Sequence, residues 1–303
     1  MRISKVFAVL ALCAAAAPVA AEQRVTLGWG RMFSNDALGD GHDRWRTGSY
    51  QLSMLRGVSF DGDLPKSFGS LIEYRASSQI IAPASLTTAA ATDRRYVGML
   101  SLGAHSQFDW QGNDVSLGGD LVITGPQTGI SNFQKWVHNA LGMAEPLVVS
   151  NQLGNAVYPT VLGEIGRTVA VTPQVTLRPF AEAQAGVESF VRVGGDMVVG
   201  SFGRGTVMAR DVTTGQRYRV AESQINQGIS FVLGGDIARV FDSALLPSTG
   251  GAVMSDDRGR VRAGVHWQGD KTSLYYGVSY LSPEFESQSE GQVIGSLSLN
   301  LKF

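Results

Sequence analysis

Apolar and polar residues alternate with a period of two along most of the chain after residue 22. In the segment 175–187 one face is formed by Val175, Leu177, Pro179, Ala181, Ala183, Ala185 and Val187. The opposite face carries Thr176, Arg178, Glu182, Gln184 and Glu188. A row of charged and amide side chains is costly in the dry core of a soluble protein, but a hydrated barrel lumen accommodates it. The alternation therefore predicts the strands of a transmembrane β-barrel.

The last segment of the chain shows the same alternation most sharply. Its apolar face consists of Val293, Leu297, Leu299, Leu301 and Phe303, opposite Ser296, Ser298, Asn300 and Lys302. A final strand that ends on an aromatic residue resembles the assembly signal of outer-membrane barrels. An edge strand of a soluble β-sandwich is the alternative interpretation.

About twelve strands are predicted, an even number as bacterial single-chain barrels require. They cover residues 24–33, 47–60, 68–80, 94–110, 113–125, 157–171, 174–187, 188–201, 228–241, 260–269, 271–282 and 290–303. The longer connections at 34–46, 81–93, 126–156 and 242–259 are expected outside the cell, and the third of them contains a short helix at 130–142. Residues 202–227 form a long inner connection that this pattern does not explain. The prediction is an all-β fold, a transmembrane antiparallel β-barrel of about twelve strands with one short extracellular helix.

The first 21 residues have the organisation of a secretory signal peptide. Arg2 and Lys5 form a basic start, residues 6–17 an apolar core, and Val19-Ala20-Ala21 a small-residue cleavage site before Glu22. The apolar run is too short for a membrane-spanning helix, which needs roughly 20 residues. The lone cysteine, Cys13, falls inside this segment. The exported chain, 22–303, is thus expected to have no disulfide, no thiolate metal site and no cysteine nucleophile.

Composition narrows the class of protein further. The formal net charge is −1, so charge gives no indication of a nucleic-acid partner. Thirty-seven glycines together with only 17% charged residues are typical of a sheet-rich exported protein. No shift in composition marks a boundary, and one barrel domain located in the bacterial outer membrane is expected.

Three polar clusters from distant parts of the sequence are predicted to meet at the extracellular end of this barrel. They are Ser34-Asn35-Asp36 with Asp43-Arg44 and Thr47, then Asp93-Arg94-Arg95-Tyr96, and finally Gln134 with His138. A spacing of four places Gln134 and His138 on one helical face. As ordinary turn chemistry the first cluster would need no function, and the two arginines are suited to pairing with lipid phosphates.

The chain has four histidines, and only one of them lies on the predicted helix. His105 and His266 alternate onto lumen faces, and His42 lies in the first loop. His138 is therefore the best candidate for a general base.

These clusters resemble, in their order, the motifs of the outer-membrane lipid A 3'-O-deacylases. Ser34-Asn35-Asp36, Asp43-Arg44 and Thr47-Gly48 are similar to the first motif of that family. The segment from Asp93 to Gly98 is similar to its fourth-strand motif, and Gly125-Pro126, Gln134, His138 and Gln152-Leu153 follow the third block. The family has a glutamate shortly after the histidine, where this chain has Ala144 followed by Glu145.

The resemblance implies a Ca2+-dependent carboxylic ester hydrolase that removes the 3'-linked acyloxyacyl group of lipid A in lipopolysaccharide. His138 would activate water with help from Gln134, and Asn35, Asp36 and Thr47 would complete the site. Asp36, Thr47 and Glu145 are the implied metal ligands, and Arg94 and Arg95 the candidate substrate contacts. A monomer is expected. Two alternatives remain open: another outer-membrane lipid esterase or phospholipase, and a barrel with a structural role and no enzymatic activity.

Overall fold

The computed structural model describes residues 23–301. The predicted signal peptide and the terminal Phe303 lie outside this range. Fifteen strands are present in the described range: β1 (Val25–Asn35), β2 (Trp45–Gly57), β3 (Leu71–Ala82), β4 (Val97–Trp110), β5 (Asn113–Thr124), β6 (Ala156–Gly166), β7 (Val169–Ala170), β8 (Val175–Ala185), β9 (Glu188–Val199), β10 (Thr206–Arg210), β11 (Arg217–Glu222), β12 (Gly228–Ser243), β13 (Asp257–Gln268), β14 (Thr272–Leu281) and β15 (Gln292–Leu301). The α-helix of this range, α1, spans Ile130–Leu141, and short 3-10 turns cover Asp36–Leu38, Pro126–Thr128, Leu147–Asn151 and Ser248–Gly250.

Twelve of these strands close into an antiparallel barrel. Strand β1 pairs with β2 on one side and with β15 on the other, and β6 pairs with β8 from Val161 opposite Ala185 to Gly166 opposite Phe180. The predicted barrel, its strand count and the helix at 130–142 are confirmed. Several boundaries differ by two or three residues, and the largest difference is in the strand predicted at 157–171, which ends at Gly166 and resumes only as the two-residue β7.

Alternate residues of each strand face the lipid and the lumen, as the sequence pattern predicts. In β8, Leu177, Pro179 and Ala181 are exposed on the outer face, whereas Arg178 and Glu182 are buried inside. The lumen side is packed with ion pairs, which a simply hydrated lumen would not require. Arg178 Nη1 lies 2.7 Å from Glu164 Oε1, and Arg192 Nη1 lies 2.7 Å from Glu182 Oε2. Such ion pairs stabilise charged residues there, because each charge in a pair offsets the cost of burying the other.

The unexplained connection 202–227 is a hairpin of β10 and β11 that folds into the lumen. The hydroxyl of Tyr218 accepts a hydrogen bond from Gln51 Nε2 at 2.8 Å and lies 2.6 Å from the hydroxyl of Ser53 on the barrel wall. Glycines make room for it on β1. A Cβ at Gly28 would stand 2.3 Å from the carbonyl oxygen of Val220, and one at Gly30 only 2.5 Å from that of Arg219.

The hairpin packs against the wall through both apolar and charged groups. Tyr218, Val207 and Val220 form an apolar cluster with Met32 and Leu55 of the wall. A second set of contacts is ionic: Arg210 pairs with Glu164 and Asp196 at 2.7 and 2.9 Å. The hairpin leaves a cavity of about 640 Å³ on one side of the lumen.

The two histidines assigned to the lumen do face it, but they are buried among neighbours. His105 is completely buried with its Nε2 3.2 Å from Asp120, and the ring of His266 lies against that of Phe202, with centroids 4.3 Å apart and planes tilted by 33°. Between residues 23 and 301 no helix has the length and apolarity needed to cross a membrane.

Candidate active site on the outer wall of the barrel

Four residues on neighbouring strands form a row at the outer rim of the barrel. Asn35 pairs with Gly48, Gly48 with Ile80, and Ile80 with Gly98. Directly paired residues of an antiparallel sheet point to the same face. Two residues closer to the membrane centre, the same face carries the lipid-exposed Phe33 and Tyr50. The row therefore lies on the lipid-facing side of the wall, about 7 Å beyond an exposed apolar row.

A β-bulge at the start of β2 aims Thr47 into this region. Trp45 pairs with Ala82, and Gly48 pairs with Ile80. Between these two pairs β2 therefore contains one residue more than β3. The extra residue breaks the alternation, and Arg46 turns into the lumen while Gly48 stays on the outer face. Trp45 has a φ of 51°, a left-handed conformation that is unfavourable for a bulky residue. Bulges and such strained residues concentrate beside functional sites.

Helix α1 covers the row from outside the barrel. Gly129 and Gly142 flank the helix in left-handed conformations, and the N–H of Met143 donates to the carbonyl of His138 at 2.8 Å, which ends the helix in a Schellman arrangement. Gly98 allows the close approach, since a Cβ there would lie 2.8 Å from the Cβ of Ile130. The buried face of the helix consists of Ser131, Gln134 and His138. The prediction that Gln134 and His138 share a face is confirmed.

His138 is held at both ring nitrogens. Nδ1 lies 2.6 Å from the carbonyl oxygen of Ala144, and Nε2 lies 3.0 Å from Asp43 Oδ2. A carbonyl only accepts hydrogen bonds, so Nδ1 carries a proton. The other oxygen of Asp43 accepts a hydrogen bond of 2.6 Å from the hydroxyl of Thr47. Loop, strand and helix thus meet in one continuous chain from Thr47 through Asp43 to His138.

Asp36 is the most electrostatically perturbed residue of the site. It is 3% exposed, at the start of the 3-10 turn that Asn35 caps by accepting from the N–H of Ala37 at 2.8 Å. Burial raises the pKa of the Asp36 carboxyl to about 7, and the charge of Asp43 acts in the same direction. The nearby Thr47 hydroxyl, the hydrogen bond that the N–H of Arg44 donates to Asp36 Oδ2 at 3.2 Å, and the nearby N–H of Ala37 oppose this rise only in part. Asp36 and Asp43 thus bring two carboxyl groups together in a poorly solvated place, where ionising both of them is costly.

Two further polar groups of the site are buried without a hydrogen-bond partner among the described residues. They are Oε1 of Gln134 and the hydroxyl of Tyr96. Burial raises the pKa of the Tyr96 hydroxyl, and the charge of Asp43 raises it further. A buried donor and a buried acceptor without partners are costly, and a bound ligand or water would satisfy them.

Arg94 and Arg95 do not extend from the rim. Arg94 is 1% exposed and pairs with Glu284 through Nη1. Arg95 donates to the backbone carbonyls of Asn151 and Gln152 at 3.0 and 2.7 Å. Arg94 therefore stabilises the mouth of the barrel from inside, and Arg95 holds the segment that follows α1 against the wall.

The oxygen groups of Asp36, Asp43 and Thr47 suit a hard cation such as Ca2+, which prefers carboxylate and neutral oxygen ligands. A cation would also relieve the repulsion between the two carboxylates. Glu145 is not joined to this group, because its carboxylate is 60% exposed and lies 3.1 Å from Lys135 Nζ. Within residues 23–301 there is no cluster of three or more His, Cys, Asp or Glu side chains that could hold a metal ion. A calcium ion here would therefore complete its shell with neutral oxygens, water or substrate.

The structure brings together most of the residues predicted from the sequence. Asn35, Asp36 and Thr47 from the first block meet His138 and Gln134 from the helix. The structure adds Asp43, a residue of the first motif to which the sequence alone gives no role in the site. Its position, four residues before Thr47 in a loop beside β2, was the available signal.

Comparisons with known proteins agree with this architecture. The family model described as "Outer membrane protein LpxR" matches residues 6–303. No curated protein sequence matches the chain. Among solved structures, LpxR from Salmonella typhimurium superimposes with a TM-score of 0.77 at 16% identity, covering 91% of this chain and 100% of that one. The β domain of the Bordetella autotransporter BrkA reaches a TM-score of 0.43 at 12% identity, covering 92% and 99% of the two chains, a likeness too weak to carry an argument.

Proposed function

The chain belongs to the LpxR family of outer-membrane proteins, and from this premise we propose that it hydrolyses the 3'-linked acyloxyacyl ester of lipid A in a Ca2+-dependent reaction. The observation that carries the proposal is the hydrogen-bonded chain Thr47–Asp43–His138 on the lipid-facing side of the wall. A base and carboxylates at this position are suited to ester hydrolysis of a lipid that never leaves its membrane.

The location of the site explains how such a substrate would arrive. The row from Asn35 to Gly98 continues outward from the exposed apolar row of Phe33 and Tyr50. An acyl chain lying along that lower row would remain in the membrane while its ester, nearer the headgroup, reaches the site. The substrate would approach sideways from the outer leaflet, and the lumen, occupied by the β10–β11 hairpin, takes no part.

In the reaction, His138 would act as general base. With Nδ1 donating to the Ala144 carbonyl, Nε2 is the nitrogen that can take a proton from water. Asp43 must give up its contact with Nε2 when the water binds, and its second oxygen remains tied to Thr47. The resulting hydroxide adds to the ester carbonyl carbon, and the carbon–oxygen bond to the sugar breaks. The imidazolium then returns the proton to the leaving sugar alkoxide.

Ca2+ would be held by Asp36 and Thr47, with Asp43 adjacent, and when bound it would stabilise negative charge on the carbonyl oxygen. Glu145 could join the ligands only by leaving Lys135. The free Oε1 of Gln134 and the free hydroxyl of Tyr96 are available to hold water and substrate near His138. Arg94 and Arg95, expected from their charge to contact substrate phosphates, would act here by positioning the loops.

The alternative hydrolase with a serine nucleophile is less well supported. The ring nitrogens of His138 contact Ala144 and Asp43, and no serine hydroxyl is bonded to either of them within the described range. A structural barrel without activity would have no use for a strained Trp45 and buried unpaired polar groups at one rim.

The decisive experiment is to incubate the purified protein in detergent with lipid A and Ca2+ and to follow the lipid by mass spectrometry. We expect loss of the 3' acyl chains, dependence on Ca2+ that a chelator abolishes, and no turnover by His138→Ala. Unchanged lipid A at every Ca2+ concentration would refute the proposed reaction.

A matched control is His42→Ala. His42 lies in the same region of the molecule, but its side chain is 63% exposed and contacts Asp40. It should keep full activity. Both variants should remain heat-modifiable on gels, which shows that the barrel is folded. Full activity of the His138 variant would refute the assignment of the base and leave the reaction itself standing.

A further inference from the structure

Helix α1 has its polar and apolar faces reversed relative to a surface helix of a soluble protein. The face turned to the protein carries the polar Ser131, Gln134 and His138. The face turned away carries Phe133 and Trp136, which are 56% and 66% exposed, with ring centroids 6.1 Å apart. A surface helix in water normally buries its apolar stripe. Large exposed apolar patches mark contact with a membrane or with another protein.

The apolar surface continues beyond the end of the helix. Leu141, Met143 and Leu147 are 69%, 46% and 54% exposed. On its inner side, α1 packs against Gly98. Gly98 faces the same side of the wall as the lipid-exposed row of Phe33 and Tyr50, which lies two residues closer to the membrane centre. The exposed side of α1 is therefore continuous with the belt by which the barrel contacts the membrane.

We propose that the outward face of α1 is an interfacial membrane anchor, with Phe133 and Trp136 inserted among the acyl chains of the outer leaflet. The helix lies about 7 Å beyond the lower apolar row, and amphipathic interfacial helices bury their apolar face about 5–10 Å into the boundary between headgroups and acyl chains. Tryptophan is enriched at that boundary. The anchor would hold His138, on the opposite side of the same helix, at the depth of the ester bonds.

The proposal rests on the outer-membrane location and not on the reaction, so it can be tested without substrate. Residues 22–303 contain no cysteine, so single cysteines replace Phe133 or Trp136 and carry an environment-sensitive fluorophore. The protein is reconstituted in phosphatidylcholine vesicles with and without lipid brominated on its acyl chains. Phe231→Cys on the outer face of β12, which is 55% exposed, reports the lipid belt. Asn139→Cys, exposed on the flank of the same helix, reports the aqueous side.

We expect labels at positions 133 and 136 to be shifted to the blue and quenched by brominated lipid, as at position 231, while the label at 139 is not. Quenching at 133 and 136 no stronger than at 139 would overturn the proposal. Shielding from brominated lipid together with a dimeric mass by light scattering would overturn it too, in favour of a second copy as the occupant. A double variant, Phe133→Gln with Trp136→Gln, should leave the barrel heat-modifiable and reduce activity on vesicle-embedded lipid A far more than on lipid A in detergent.

Discussion

Asp43 Oδ2 lies 3.0 Å from His138 Nε2, which joins the loop after β1 to the helix between β5 and β6. This contact places a carboxylate from one motif against the candidate base of another. Because Asp43 also accepts from Thr47, it holds both partners in register. We regard it as the central structural relationship of the site.

Asp43→Asn should therefore impair catalysis without unfolding the barrel. The amide can still accept from Thr47, but it lacks the negative charge that attracts a cation and stabilises the imidazolium formed when His138 takes a proton. A loss of about 10²-fold or more in kcat is expected, the range for a perturbed general base. Initial rates on lipid A in detergent measure it. Asp40→Asn is the matched control, since Asp40 lies in the same loop and contacts His42 and Arg44 at 3.5 and 3.7 Å; equal losses in the two variants would contradict the assignment.

Arg95→Ala distinguishes a positioning role from a phosphate contact. The guanidinium donates to the carbonyls of Asn151 and Gln152, so its removal should loosen the segment that seats α1. Misplacement of a catalytic group by about 1 Å can cost on the order of 10²-fold in rate. The loss should be equal on lipid A with and without its phosphates. A loss confined to the phosphorylated substrate would show instead that Arg95 contacts phosphate.

The barrel strands could be predicted because each side chain on them faces either lipid or lumen. Leu177 faces the lipid and its neighbour Arg178 faces the lumen. The period of two is therefore visible in the sequence even where the inner row is charged. The spacing of Gln134 and His138 similarly fixed their common face. In such segments the local pattern and the environment carry the same information.

Other features depend on contacts between distant segments, which no local pattern contains. The bulge at Trp45 is visible only in the pairing of β2 with β3, and the contact of Asp43 with His138 only after α1 is folded onto the wall. The β10–β11 hairpin has no lipid-facing row, because the barrel surrounds it. Its strands are only five and six residues long, too short to be recognised as membrane-spanning strands, which need roughly 9–11 residues. Glu145 pairs with Lys135. The motif predicts a metal ligand at Glu145 and contains no information about this ion pair.

Glu284→Gln should destabilise the outer mouth. Glu284 accepts from Arg46 Nε at 2.8 Å and pairs with the fully buried Arg94. Removing one partner of a buried ion pair typically costs roughly 3–5 kcal/mol, since the remaining charge is left uncompensated. The midpoint of urea unfolding in detergent micelles should fall accordingly. Glu290→Gln is the control, because Glu290 is 61% exposed and pairs with Arg44 at the surface.

The ion pairs of Glu284 with Arg46 and Arg94 also predict that the stability of the barrel depends on pH. Burial would raise the pKa of Glu284, but the guanidinium groups of Arg46, Arg258 and Arg94 outweigh burial and hold the pKa well below its usual range. A carboxyl whose folded pKa is depressed adds stability above its unfolded pKa of about 4.3. That contribution is lost as the pH falls through the lower folded pKa. The difference in stability between wild type and Glu284→Gln should therefore be constant above about pH 5 and shrink in stronger acid.

Removal of the lumen hairpin should separate permeability from catalysis. Tyr218 and Arg210 join β10 and β11 to the wall, so replacing residues 204–224 with a short glycine-serine linker leaves the twelve wall strands intact while emptying the lumen. Planar-bilayer recordings should then show a conductance that the wild type lacks. Deacylation should persist, because Asp43, Thr47 and His138 lie on the outer face of the wall and not in the lumen. If the opened barrel is folded and heat-modifiable yet inactive, the hairpin supports the site through the wall, and lateral access alone does not describe how the enzyme works.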